Sequence, residues 1–71
     1  MNETVKIWLG KLGNPTKEKI KAEIEEVKGA ISNERLWERG YNGDDSLNPH
    51  TENIAVLSEY LKVLEEMLNK E

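Results

Sequence analysis

Two ladders of aliphatic side chains decide what this chain can fold into. Ile20, Ile24, Val27 and Ile31 recur at steps of 4, 3 and 4, and Ile54, Leu57, Leu61, Leu64 and Leu68 at steps of 3, 4, 3 and 4. That spacing puts each set on one line of an α-helix, whereas a strand would scatter it over both faces. Asn14-Pro15 precedes the first ladder and Asn48-Pro49 the second. In each, a capping side chain is followed by a proline at the first helical position. Gly40 reads as the stop of the first helix, a left-handed residue just past its last turn. The expectation is all-α, with helices over about 15–39 and 49–70.

The segment YNGDDSLN, residues 41–48, is rich in turn formers and too short for another element. Two helices so joined must run antiparallel, giving a helical hairpin over residues 14–71. Residues 1–13 form a separate N-terminal arm or short helix. Val5, Trp8, Leu9 and Leu12 fit a helix ended by Gly13, while Val5, Ile7 and Leu9 also fit a strand. The helix is favoured.

At 71 residues the chain has one domain at most, in the size range where a lone core is marginal. It has no cysteine, so neither disulfides nor a thiolate metal site are available. That suits a reducing cytoplasm, the expected location. The N-terminus lacks the basic and apolar regions of a signal peptide. No run approaches the ~20 apolar residues that span a bilayer. A net charge of −4 argues against general binding to nucleic acid, which needs a basic footprint.

A hairpin alone leaves apolar surface over. The second helix carries a further stripe, Val56, Tyr60, Val63 and Met67, beside its main one. A single partner helix needs only a narrow seam, and the surplus would be an exposed patch of the kind that marks an interface. Ala22, Gly29 and Leu36 lie at sevens on the outer side of the first helix. They would admit another helix, or are tolerated surface residues. These features predict a homo-oligomer, a symmetric helical bundle. The competing expectation is a three-helix monomer in which Trp8, Leu9 and Leu12 cover the second stripe.

At the turn end the ladders become polar. Continuing the first past Ile31 gives Glu34 and Glu38, and running the second backwards reaches Asn53 and His50. Antiparallel packing brings these four together, where polar groups must find partners. One reading is structural, with His50 and Asn53 bonding the carboxylates and Trp37 and Tyr41 packing beside them. A second is metal binding by Glu34, Glu38 and His50, but the Glu-x-x-His pattern of helical dimetal sites is missing. A third is a pocket for a nucleotide-like anion beside the free N–H groups of the second helix. There Trp37 and Tyr41 would stack, Arg35 and Arg39 would neutralise phosphate, and Asn33, His50 and Asn53 would set orientation.

Nothing points to catalysis. The single histidine stands near no nucleophile motif, there is no Walker loop, and Asp44-Asp45-Ser46 lacks the EF-hand pattern. No catalytic residue, metal or cofactor is expected.

The stretch AISNERLWERG, followed by NPHTENI and a leucine-rich helix, resembles small helical-hairpin proteins of phages and prophages of Gram-positive bacteria, over roughly residues 16–70. The resemblance implies a short accessory protein that counters host defence, and it assigns no residue a role. The leading expectation is a non-enzymatic binding protein that sequesters a nucleotide-derived immune signal at the hairpin tips of an oligomer. The alternative is an inhibitor or adaptor that binds a host defence protein through helix faces bearing residues such as Glu59, Lys62 and Glu66. A third is a structural oligomer whose tip polarity fixes register.

Overall fold

The structure, a computed structural model, describes residues 2–41 and 48–70. It holds three helices, α1 (Glu3–Leu12), α2 (Lys17–Gly40) and α3 (Pro49–Asn69), and no strand among the described residues. The all-α expectation stands. The turn expected over 41–48 lies largely outside the described residues.

The N-terminal stretch is helical because that geometry buries more of it. Asn2 caps α1, its Oδ1 accepting the Thr4 N–H at 2.7 Å. Val5 is fully buried, and Trp8, Leu9 and Leu12 pack on the same core. Ile7, which a strand would have put beside Val5 and Leu9, is 57% exposed. Gly13 ends α1 with φ 68°, ψ −131°, and its N–H reaches the Leu9 carbonyl at 3.2 Å. A side chain at that φ is strained, so glycine is required there.

Two boundaries of α2 differ from expectation. The helix starts at Lys17, capped by the Thr16 hydroxyl, which accepts the Lys19 N–H at 3.2 Å. Thr16 takes the capping place from Asn14 because the chain is still leaving the Gly13 turn at Asn14-Pro15. Gly40 is the last helical residue, not a left-handed stop, and Gly13 is the only described residue with positive φ. The Tyr41 N–H closes the end on the Glu38 carbonyl at 3.4 Å, a tightened last turn. α3 begins as expected, with Asn48 Oδ1 accepting the His50 N–H at 3.0 Å and Pro49 in the first turn.

α2 and α3 pack in opposite directions. Glu23 near the start of α2 meets Tyr60, and Glu34 near its end meets His50. Ile20, Ile24, Val27 and Ile31 are all buried in this seam, against Leu64 and Tyr60. α1 makes its close backbone approach to α3 alone. Its start is tied there by the Asn2 N–H, which donates to Glu59 Oε2 at 3.3 Å.

α1 therefore covers the second stripe of α3. Trp8 packs on Tyr60 with ring centroids 5.1 Å apart at 59°, a tilted pair of the favourable kind. Val56 and Met67 are half-buried against the same core. The surplus apolar surface from which self-association was argued is thus largely occupied within one chain.

Candidate functional site

Two places combine polar chemistry with accessible apolar surface: the turn end of α2 and α3, and a trough between α1 and α2.

At the turn end, His50 Nδ1 lies 2.5 Å from Glu34 Oε2, a cross-helix hydrogen bond. Asn53 Nδ2 donates to the other oxygen of Glu34 at 3.4 Å. The Thr51 hydroxyl donates to Glu38 Oε2 at 2.6 Å, and Asn48 Nδ2 to the Glu38 carbonyl at 3.5 Å. The two carboxylates are thereby engaged by α3, in the way that inward polar groups demand. Among the described residues no buried side-chain polar atom lacks a partner. Sequence reasoning located Glu34, Glu38, His50 and Asn53 but missed Thr51 and the Asn48 amide. The Asn48 amide was detectable, since a capping residue stands at the turn beside the end of α2; Thr51, about 100° around α3 from His50, was not.

Four of the proposed ligand residues gather here. The rings of Trp37 and His50 are nearly parallel, 21° apart with centroids at 6.4 Å, and Tyr41 meets His50 edge-on at 6.2 Å. Asn53 joins them through Glu34. The arginines do not. Arg35 and Arg39 each stand two residues from Trp37, which places both ~200° around the helix from it. The core stripe lies between the two flanks. Asn33 is exposed on α2 and has no polar partner among the described residues. The arrangement supplies an aromatic–imidazole surface on one flank and a pair of cations on the other. No group of three or more metal-ligating side chains occurs among the described residues.

The trough was not anticipated. Because α1 leans on α3 and not on α2, a groove of about 560 Å³ opens between them. Its floor and walls are Trp8, Leu12, Val27, Ala30, Leu57 and Tyr60. A second hollow shares Trp8, Ala30 and Leu57 with it and runs on past Val56 to Asn53 and Glu34. The volume is within the ~300–1,000 Å³ of ligand pockets, but the shape is an open channel along a helix.

Charge along the trough is uneven. Lys11 and Lys19 stand at one end, Glu23 and Glu26 along the α2 edge, and Glu34 and Glu52 at the other end. Tyr60 donates its hydroxyl proton to Glu23 Oε1 at 3.2 Å. Burial, then the charge of Glu23, its hydrogen bond and the charge of Glu26, push the phenol up to about 12. Tyr60 thus stays neutral over the ordinary pH range and holds Glu23 at the rim. The signal that could have revealed the trough is on α2 itself. Glu23, Ala30 and Trp37 are spaced by sevens, a line of rim, small and large residues beside the core ladder.

None of the described helices is long and apolar enough to cross a membrane. The chain matches no protein-family model, no curated protein and no solved structure.

Proposed function

We propose that this chain is a non-enzymatic helical binding protein that receives an α-helix in the trough between α1 and α2. The supporting observation is the trough itself: an apolar floor of Trp8, Leu12, Val27, Ala30 and Leu57 between α1 and α2, with charged residues at its rims and ends. An amphipathic helix laid in such a groove anchors through apolar residues one turn apart. The reading belongs with the protein–protein class and not with catalysis. A photo-crosslinking side chain at Ala30, in the trough, is compared with one at Ala22, on the outer face, in living cells. Adducts at position 30 and not at 22 are expected. Adducts at neither position, or equally at both, would remove the proposal.

A second reading keeps the turn end as a site for a nucleotide-like anion, including a signal of host immunity. It is favoured by Trp37, which is 67% exposed beside the His50 ring at the N-terminus of α3. The arginines on the other flank of α2 weigh against it. Titration calorimetry with cyclic dinucleotides and ADP-ribose derivatives decides this, and absence of heat from all of them ends it.

A further inference from the structure

We infer that the helix received by the trough is α2 of a second copy of this chain, laid antiparallel to the first. The inference rests on the trough reading above and names its occupant. Three features of the molecule carry it.

The first is charge. Lys11 and Lys19 mark one end of the trough and Glu34 and Glu52 the other. A two-fold rotation that reverses α2 sets each cationic end against the partner's acidic end, so the surface is complementary to itself. Placing Lys19 opposite Glu34 puts the axis beside Glu26 and Val27 and aligns Trp37 with Thr16, next to Leu12 and Pro15.

The second is Trp37. It lies on the trough side of α2, seven residues beyond Ala30, with two-thirds of its surface in water. Reversed onto a second copy, its indole covers the Leu12 and Lys19 end of the groove, with an apolar wall and a cation to meet it. The third is Ala30, whose small side chain lines both hollows one turn from the axis. It falls opposite Glu23, leaving room for that carboxylate. Glu26 meets its own copy near the axis, with the two Glu23 carboxylates about one turn to either side, and this acidic centre opposes the arrangement.

This interface differs from the one argued from the second stripe of α3, which α1 covers. Self-association here depends on α1, since its residues Trp8, Lys11 and Leu12 build one wall.

Analytical ultracentrifugation of the full chain across the micromolar range tests the assignment. A species of twice the 8.2 kDa chain mass is expected. Trp37→Ala should weaken the dimer by roughly thirtyfold or more, as for a buried anchor, with helicity by circular dichroism unchanged. Lys11→Glu and Glu52→Lys should each weaken it by roughly fivefold, as exposed ion pairs do, and together restore it. Glu26→Gln should tighten it. A wild-type monomer, or a dimer indifferent to all four changes, overturns the inference. The crosslink at position 30 separates the two failures. An adduct with another protein leaves the trough reading standing and removes self-docking, and no adduct removes both.

Discussion

The two ends of the α2–α3 pair are held by different physics. At the end covered by α1, Val5, Ile20, Tyr60 and Leu64 are buried and the contacts are almost wholly apolar. At the turn end, the cross-helix bonds run from His50, Asn53, Thr51 and Asn48 to Glu34 and Glu38. Apolar contacts need only area and a filled volume. Polar contacts must be met group by group, yet near solvent each returns little net free energy because water competes for the same atoms. The covered end should therefore supply most of the stability and the turn end the register.

The difference is open to direct attack. The largest loss should come from Leu64→Ala, since Leu64 is fully buried. A cost of about 2–5 kcal/mol is expected from the lost contacts and the void left behind, read by urea denaturation. If that substitution costs less than any change at the turn end, the contrast is wrong.

Next comes alkaline pH. With the Tyr60 phenol raised from 10.0 to about 12 in the folded chain, its contribution is complete below pH 10. Above that the unfolded chain loses the proton first, and stability falls as pH rises towards 12. Each unit of separation is worth about 1.4 kcal/mol, so the loss is of order 2 kcal/mol. Denaturation of Tyr60→Phe over the same range should show a shallower fall.

Gly13→Ala should cost about 1–3 kcal/mol through backbone strain, because an added Cβ there meets no atom within 4 Å. The smallest effect is expected from Glu34→Ala, about 1 kcal/mol, with water taking over from the carboxylate. Its clearer readout is spectroscopic: the imidazole resonances of His50 should shift as the ring loses its partner and its fixed place beside Trp37 and Tyr41.

The same contrast explains what the sequence disclosed. Ladders such as Ile20–Ile24–Val27–Ile31 are periodic, so the helices and their shared seam follow from spacing alone. The polar ends of the ladders followed by extension, which is why Glu34, Glu38, His50 and Asn53 were found together. Local spacing could not say which way α1 would lean. Val5, Trp8 and Leu12 fit any apolar surface, and the choice of α3 over a second copy depends on the three residues after Gly13 and on Tyr60 offering a ring to Trp8. The trough, being what α1 leaves uncovered, was hidden for the same reason. The placement of the arginines was available in principle: Arg35 and Arg39 share one side of α2 near the start of α3, but two residues from Trp37 is the far side of a helix from the aromatics.

The two indoles stand in unlike surroundings, Trp8 half-sheltered against a phenol ring and Trp37 mostly in water. The chain thus carries a native optical reporter at each end, one emitting to the blue of the other. Keeping either alone, by phenylalanine replacement of its counterpart, would let a fluorimeter follow the loosening of α1 and the capping of the exposed ring as separate events.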